Sequence, residues 1–333
     1  MIKDLADLNA LENHHQRNCE IYRTFTLQEF PGSGVAARLE DFPFLPVAAF
    51  KNYALKSVAD SEVIKVMSSS GTSGARSQIY LDRATARGQI EGLTATLVKE
   101  FGKARFPMVF VQGEDAVENQ FNASKAAVNG FSVMARTSLV LPCNPNESEL
   151  ADLISLSAAK NDPPLIFGFT FNVWKLIGTL KGRGVRNALP SSTILHGGGW
   201  KKLQDKKVSS EEFGDRAREV LGVTRVTNYY GLVEQTGSIF MECKNGNMHE
   251  PENGALLIRD ERTLKPLGPG RSGFIQVIST LQKSYPGHSV LTEDLGFWID
   301  ASDCGCENPG RILKVIGRAK GAEIRGCSDA QLS

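Results

Sequence analysis

The sequence has no apolar run of about eighteen residues, the length that a membrane-spanning helix needs, so we expect no membrane span. It also lacks an excess of charge, because 38 basic and 37 acidic residues leave a formal net charge of +1. No basic stripe with interleaved aromatic residues occurs, which excludes nucleic acid as an expected partner. Residues 1–18 lack the apolar core and cleavage site of a signal peptide, so we expect a mature amphipathic helix there and a cytoplasmic protein.

The composition is that of a globular protein, with 41% hydrophobic and 23% charged residues among 333. Segments with helical and strand-like patterns alternate as far as about Arg225, and strand- and turn-rich sequence follows. Such alternation favours parallel sheets covered by helices. We expect an α/β fold with helix-covered sheets and a β-rich subdomain. Its core would span residues 1–316 (α/β to about 230, β-rich over about 231–316), followed by a tail over residues 317–333.

A run of hydroxyl and glycine residues follows a predicted strand at residues 63–67. Glycines let backbone N–H groups turn inward around an anion, and hydroxyls and an arginine add further donors for a phosphate. The Gly-Lys-Ser/Thr of a Walker loop is absent. A flexible Ser/Gly loop explains the segment equally well when it is taken alone. The run comprises Ser68, Ser69, Ser70, Gly71, Thr72, Ser73 and Gly74, with Arg76 just beyond it.

A second motif, Asn228 to Glu234, follows a strand-like segment. The carboxylate of Glu234, just past a strand and a turn at Gly231, is suited to Mg²⁺, which prefers oxygen ligands. The aromatic pair Tyr229 and Tyr230 could flank an adenine or an acyl group. The alternative is an ordinary turn at a strand end with a glutamate on the surface.

Two shorter motifs lie closer to the C-terminal end. Thr292 to Gly296 predicts an acidic loop, in which Asp294 can accept hydrogen bonds from both hydroxyls of a ribose. Gly317 and Arg318 begin a basic stretch. Taken singly, an acidic turn and a basic C-terminal turn are the simpler interpretations.

The six cysteines do not predict a disulfide framework in a long chain without a secretion signal. Cys243 and His249 bracket a turn, and Cys304 and Cys306 flank Gly305. Three cysteines and one histidine make a closed tetrahedral set that suits a structural Zn²⁺. Three unrelated buried thiols are the alternative.

Together and in this order, the four motifs resemble those of the adenylate-forming superfamily of acyl- and aryl-CoA ligases. That series is a Ser/Thr/Gly phosphate loop, an aromatic-Gly-x-x-Glu turn, a Thr-x-Asp ribose loop and a Gly-Arg hinge. The closer resemblance, over nearly the whole chain, is to acyl-protein synthetases of the luminescence type (LuxE-like). The segments that carry it are 46–51, 68–74, 168–171, 196–201, 228–234, 291–296 and 325–328.

The resemblance implies the large-domain fold of adenylate-forming ligases and ATP-dependent activation of a carboxylic acid, in particular a fatty acid, to an acyl-adenylate. It places Mg²⁺ near Glu234 and the ribose on Asp294 and Arg318. The acyl group would then pass to the thiol of Cys327, for delivery to a partner such as an acyl-CoA reductase or another acyl-acceptor protein. Gly197, Gly198 and Gly199 fall where the superfamily has a Gly-Gly segment against adenine, and His196 before them fits a buried structural histidine slightly better than a catalytic one.

The sequence also departs from the superfamily. Val233 stands where threonine is usual, and Arg76 stands where Pro-Lys is frequent. We expect no counterpart of the mobile C-terminal domain, so Lys201 or Lys320 would contact the phosphates in place of its adenylation lysine, or a partner would complete the site. Two alternatives stay open: a phenylacetate-type CoA ligase without its lid, and a catalytically inactive nucleotide-binding fold.

Four aromatic residues near the middle of the chain are candidates for an acyl pocket, since ligand pockets are mostly apolar. An ordinary core strand and helix is the commoner role for such residues. They are Phe167, Phe169, Phe171 and Trp174.

Overall fold

The computed structural model describes residues 5–68, 76–113, 128, 130–156, 162–200 and 207–319. The chain forms two compact units, one of residues 1–100 with 231–333 and one of residues 101–230. None of the helices in the described ranges is long and apolar enough to cross a membrane. The sequence-based division near residues 230 and 316 stays a prediction.

The described ranges contain seven helices and fourteen strands. The helices are α1 (Leu5–Asn18), α2 (Glu20–Glu29), α3 (Ala49–Asn52), α4 (Arg83–Phe101), α5 (Glu147–Leu156), α6 (Thr170–Gly182) and α7 (Ser210–Leu221). The first eight strands are β1 (Leu45–Pro46), β2 (Lys65–Ser68), β3 (Gln78–Leu81), β4 (Phe106–Gln112), β5 (Ala135–Pro142), β6 (Leu165–Phe169), β7 (Thr193–Gly197) and β8 (Arg225–Tyr230). The last six are β9 (Phe240–Glu242), β10 (Met248–His249), β11 (Gly254–Arg259), β12 (Gly273–Ser279), β13 (Ser289–Asp300) and β14 (Arg311–Arg318).

The main sheet of the first unit has the order β11-β12-β13-β14-β10-β9, with neighbouring strands antiparallel. The long strand β13 has two partners on the edge away from β12. β1 runs parallel to its first half and pairs Pro46 with Leu291, whereas β14 runs antiparallel to its second half and pairs Arg318 with Asp294. β1 and β14 therefore end opposite nearby residues of β13. β2 and β3 form a separate antiparallel hairpin.

A buried polar cluster fastens the two N-terminal helices to the first unit. The carboxylate of Glu12 on α1 accepts a hydrogen bond from the Tyr22 hydroxyl of α2 at 2.6 Å and lies 2.8 Å from Nε2 of His288. His288 immediately precedes β13. Next to it, His15 contacts the Ser57 hydroxyl at 2.7 Å and stacks on His288. These contacts give each of these side chains at least one hydrogen-bonding partner, which lowers the cost of its burial.

The second unit is built on a parallel sheet of order β8-β7-β6-β4-β5. All five residues of β6 are buried, as expected for a strand covered on both faces. α7 begins where the Ser209 hydroxyl accepts a hydrogen bond from the Glu212 amide at 3.0 Å, and it ends at Gly222 in the left-handed region with φ 77°. The core residues of the strands and of α6 and α7 form one cluster, which includes Val109, Ile166, Ile194, Leu176, Leu180, Ala217 and Val220.

The predicted helix at the N-terminus, the helix from residue 85 to 101 and the strands before residue 280 are confirmed with small shifts of their ends. The predicted acidic loop at Thr292 to Gly296 is wrong, because this segment lies inside β13. Its backbone pairs with β12 and β14. Arg318 faces the Asp294 carboxylate, so this acidic side chain is accommodated within a strand. The sequence patterns did not predict α2, β3 or the exposed edge strand β5, whose apolar residues are few or irregularly spaced.

Candidate functional site

The predicted phosphate loop connects the two strands of the β2–β3 hairpin. Ser68 is the last residue of β2 and pairs with Gln78, the first residue of β3. Arg76 lies two residues before β3 and is partly buried. The predicted residues Ser69, Ser70, Gly71, Thr72, Ser73 and Gly74 lie outside the described residues, so their role as phosphate ligands stays a prediction.

Glu234 lies on a 3-10 turn (Val233–Gln235) of the first unit and is fully buried, with 0% exposure. Three hydrogen bonds hold this turn in place. The Gln235 amide group donates hydrogen bonds to the carbonyls of Val277 at 3.0 Å and Gly287 at 2.9 Å, and the Tyr285 hydroxyl donates to the Glu234 carbonyl at 2.9 Å. The burial is incompatible with a surface glutamate at an ordinary turn. Burial also raises the pKa of Tyr285 far above its usual range, so its hydroxyl keeps the proton it donates.

Asp294 and Arg318 face each other across the β13–β14 ladder of the first unit. Their Cα atoms are register partners, and the Arg318 Nε lies 3.5 Å from Asp294 Oδ1. The two side chains keep only 13% and 20% exposure, so the pair sits in a partly desolvated position at the end of β14. The register of this hairpin shifts between Leu295 and Gly296, next to Asp294. The pair thus combines an acceptor for hydroxyl groups with a cation, which is the chemistry that the ribose assignment needs.

Gly197 and Tyr229 form a close contact in the second unit, where β7 pairs with β8. A Cβ atom on Gly197 would lie 2.6 Å from Cε1 of Tyr229 and 2.8 Å from its carbonyl oxygen. The Tyr229 ring also stacks on Phe167, with centroids 6.1 Å apart. Only glycine therefore lets the tyrosine ring lie flat at this strand end. Gly198 has φ +74° and lies against the Phe169 ring, while a Cβ on Gly199, at φ +62°, would meet no described atom within 4 Å.

His196 is buried beside these glycines, between a hydroxyl group and an aromatic ring. Its Nδ1 atom lies 2.9 Å from the Thr170 hydroxyl, and its ring stacks on Phe213 at 4.8 Å. Burial lowers the pKa of His196 to about 4, so the imidazole is neutral near pH 7. This environment matches a buried structural histidine, which is the interpretation that the sequence favoured.

The aromatic residues considered for an acyl pocket take different positions within the second unit. Phe167 and Phe169 are buried on β6, as an ordinary core strand requires. Phe171 and Trp174 follow on α6 and are partly exposed. Trp174 packs against Phe213, and the Arg216 guanidinium lies 4.1 Å above its ring. An acyl pocket at these residues stays a prediction.

The predicted metal ligands of the first unit lie together. Cys243 and His249 flank the β9–β10 turn, and Cys304 and Cys306 lie in the connection between β13 and β14. One ligand atom of each lies within 4.8 Å of the others. The Cys304 sulfur is 3.5 Å from Cys243 Sγ and 3.4 Å from His249 Nε2, and Cys306 Sγ is 3.2 Å from His249 Nε2.

Hydrogen-bond donors lie next to two of these sulfurs. The Asn247 amide group donates to Cys304 Sγ at 3.1 Å, and the Asn245 backbone N–H donates to Cys243 Sγ at 3.3 Å. Lys314 on β14 in turn donates to the Asn247 side-chain oxygen at 2.6 Å. Although burial raises it, hydrogen bonds with His249 and Asn247 lower the pKa of Cys304 to about 6. The residue pattern did not predict either asparagine as a donor to sulfur, although their position between two predicted ligands, Cys243 and His249, is a signal for that role.

Two predicted catalytic residues, Lys201 and Cys327, lie outside the described residues, as does Lys320. Of the other candidates, the first unit brings Asp294 to Arg318 and assembles the Cys/His cluster. The second unit brings Tyr229 to Gly197. Tyr230 and Gly231 join β8 to the turn that carries Glu234 and are partly buried.

A family model described as "Acyl-protein synthetase, LuxE" matches residues 2–332. The chain is 27% identical over 334 residues to the long-chain-fatty-acid–luciferin-component ligase of Vibrio harveyi, covering 95% of this chain and 83% of that one. It is 23% identical to the protein of the same name from Aliivibrio fischeri, covering 98% and 87%. A crystal structure of 2-hydroxyisobutyryl-CoA ligase with 2-HIB-AMP and CoA superposes with a TM-score of 0.69 at 16% identity, over 94% of this chain and 68% of that one. At that identity the superposition shows the fold, so the expected adenylate-forming ligase fold is confirmed.

Proposed function

Since the chain belongs to the acyl-protein synthetase (LuxE) family, we propose that it uses ATP to activate a fatty acid and passes the acyl group to a protein thiol. The observation that carries the proposal is the pairing of Asp294 with Arg318, because the β13–β14 register brings together two motifs that lie far apart in the sequence. In the first half-reaction, a carboxylate oxygen of the acid bonds to the α-phosphorus of ATP. The bond from that phosphorus to the bridging oxygen breaks, and pyrophosphate leaves with the electron pair.

The first unit offers residues for the ribose and for the metal ion of the nucleotide. We assign the ribose hydroxyls to the Asp294 carboxylate, with Arg318 beside it. The buried carboxylate of Glu234 would hold Mg²⁺, because this ion prefers oxygen ligands. When bound, Mg²⁺ would neutralise negative charge on the phosphates. In the second unit, the flat Tyr229 ring against Gly197 is our candidate surface for a planar or apolar part of a substrate.

The second half-reaction moves the acyl group to sulfur. We propose that the Cys327 thiol attacks the carbonyl carbon of the acyl-adenylate, so that AMP leaves and the thiol proton passes to solvent. A thiol suits this step because even a small thiolate fraction is strongly nucleophilic. The two relatives are named for a long-chain fatty acid and a luciferin component, which supports a fatty acid as substrate here. A reductase as the acceptor of the acyl group, Lys201 at the phosphates and a cytoplasmic location stay predictions.

A panel of carboxylic acids in ATP–pyrophosphate exchange tests the first half-reaction, and mass spectrometry of the protein after incubation with ATP, Mg²⁺ and an active acid tests the second. We expect exchange with fatty acids and a hydroxylamine-labile adduct on Cys327. Cys327→Ser should keep exchange and lose the adduct, whereas Cys19→Ser, which removes a thiol outside the motifs, should keep both. Turnover of CoA without any protein adduct would instead support the phenylacetate-type ligase. The absence of exchange with every acid would support the inactive fold.

We further propose that Cys243, His249, Cys304 and Cys306 hold a structural Zn²⁺. Tetrahedral Zn²⁺ with bonds of about 2.3 Å to sulfur and about 2.0 Å to nitrogen spaces its ligands by roughly 3.8 Å (S to S) and 3.6 Å (S to N). The closest observed separations of 3.5, 3.4 and 3.2 Å are near these values, and the Asn247 donor next to Cys304 suits a thiolate there. With four protein ligands the ion would have no open position. Metal analysis of protein purified without chelators should find about one zinc per chain, and protein without bound metal would contradict this assignment.

A further inference from the structure

The sulfurs of the proposed zinc centre lie in apolar surroundings. Cys243 and Cys304 form a small buried cluster with Ile312, and Ile299 and Cys306 pack against it. A Zn²⁺ ion that is bound by three thiolates and a neutral imidazole carries one net negative charge. Such a charge is costly in apolar surroundings unless a charge of opposite sign lies nearby. The four ligands therefore leave a negative charge that the rest of the first unit has to compensate.

Strand β14 carries a lysine towards this cluster. Side chains alternate along a strand, so Lys314 lies on the same face of β14 as Ile312, which belongs to the cluster. The Lys314 ammonium group donates to the side-chain oxygen of Asn247 at 2.6 Å, and the side-chain nitrogen of Asn247 donates to Cys304 Sγ at 3.1 Å. One amide group thus joins a cation to a sulfur of the cluster.

The two contacts fix which way round the Asn247 amide lies. An ammonium group can only donate, so the amide oxygen must face Lys314 and the amide nitrogen must face the sulfur. The sulfur it meets, that of Cys304, is also 3.5 Å from Cys243 Sγ and 3.4 Å from His249 Nε2. Hydrogen bonds in series polarise one another, so the ammonium strengthens the N–H donor beside the sulfur.

We propose that Lys314, acting through Asn247, compensates the net negative charge of the zinc centre and so determines how tightly the ion is held. The proposal rests on the zinc assignment above and is independent of the proposed adenylation. Lys314 is a positioning residue, because it acts through the amide of Asn247. Its ammonium group stabilises the negative centre, so its loss should raise the energy of the zinc-bound protein more than that of the metal-free protein.

Competition for Zn²⁺ between the protein and a chromogenic chelator tests the proposal. Lys314→Met and Lys314→Gln should each bind Zn²⁺ about 10- to 100-fold more weakly than the wild type, the loss typical of removing a group that supports a metal ligand. Lys314→Arg, which keeps the charge and a donor, should stay within about threefold of the wild type. Lys244→Met is the matched control, because this exposed lysine follows Cys243 directly, and it should change the affinity less than about twofold.

Two further measurements separate this role from a purely structural one. Asn247→Leu should weaken zinc binding at least as much as Lys314→Met, and the double variant should lose little more, because the connection is already broken. With Co²⁺ in place of Zn²⁺, the sulfur-to-metal charge-transfer band should shift in Lys314→Met and stay unchanged in Lys244→Met. Urea unfolding of the metal-free protein should give similar free energies for Lys314→Met and the wild type.

Several results would overturn the proposal. Equal zinc affinities of Lys314→Met and the wild type would mean that the centre needs no cation at this position. Wild-type affinity in Lys314→Gln would mean that residue 314 orients Asn247 and that its charge is not required. Equal destabilisation of the metal-free and zinc-bound forms of Lys314→Met would mark a structural lysine. A wild-type protein that binds no zinc would overturn the zinc assignment together with this role, and it would leave the adenylation unaffected.

Discussion

Replacing Gly197 by alanine should destabilise the second unit and disturb Tyr229. The added Cβ would lie 2.6 Å from Cε1 of Tyr229 and 2.8 Å from its carbonyl oxygen, both shorter than real Cβ contacts. The ring can rotate away, but the carbonyl belongs to β8, which is paired with β7 at this residue. Overpacking of this kind costs about 1–3 kcal/mol. The Tyr229 ring would also lose its stacking on Phe167.

Gly178→Ala provides the matched control. Gly178 lies inside α6 of the same unit and is exposed, and a Cβ atom added there would meet no described atom within 4 Å outside its own helix backbone. The same change should stabilise the unit by about 0.5–1 kcal/mol, because alanine favours helix and loses less backbone entropy on folding. The two variants should therefore shift the urea midpoint in opposite directions, and their unfolding free energies should differ by roughly 1.5–4 kcal/mol.

Urea unfolding can be followed by the fluorescence of Trp174 and Trp200, which lie in the second unit. Exchange activity should fall in Gly197→Ala and stay at the wild-type value in Gly178→Ala. A Gly197→Ala protein as stable as the wild type would show that Tyr229 is not confined as described. Lower stability with full activity would remove Tyr229 from the candidate substrate surface.

Three further outcomes are expected. Asp294→Ala should weaken ATP binding about 10- to 100-fold in calorimetry, the loss expected for hydrogen bonds from ribose hydroxyls to a carboxylate. Asp300→Ala, an exposed carboxylate on the same strand, should not weaken it. The unfolding free energy should fall as the pH drops from 6.5 towards 4, because unfolded His196 takes up a proton that the buried imidazole, with its pKa of about 4, does not. In titrations of stability against pH, the unfolding free energy of His196→Asn should fall less between pH 6.5 and pH 4 than that of the wild type, by on the order of 3 kcal/mol. Cys304→Ser should reduce bound zinc to well below one per chain and lower the melting temperature, whereas Cys19→Ser should retain the metal.

Each of these predictions has an outcome that would contradict it. Equal ATP affinities for Asp294→Ala and Asp300→Ala would remove the ribose assignment. An unchanged pH slope in His196→Asn would mean that the imidazole is protonated within the fold. Full zinc content in Cys304→Ser would mean that the metal, if bound, uses other ligands.

The sequence alone predicted the nature of the elements and of the chemical groups. Hydrophobic spacing predicted α1, α4 and seven of the fourteen strands, because that spacing follows the local geometry of each element. The order of the motifs identified Glu234, Asp294 and Arg318 as candidates without reference to any contact. Cysteine count and spacing identified the possible zinc ligands. In each case the residue types carried the information.

Only the tertiary structure decided which of these groups meet and in what environment. Asp294 and Arg318 are opposite because the β13–β14 register brings them there, and the segment predicted as an acidic loop is a strand because it has partners on both edges. Glu234 lies on a buried turn that Tyr285 contacts. Asn247 donates to the Cys304 sulfur and accepts from Lys314, and these three residues come from separate segments of the chain. Strand register and burial depend on many long-range contacts at once, and no local pattern encodes them.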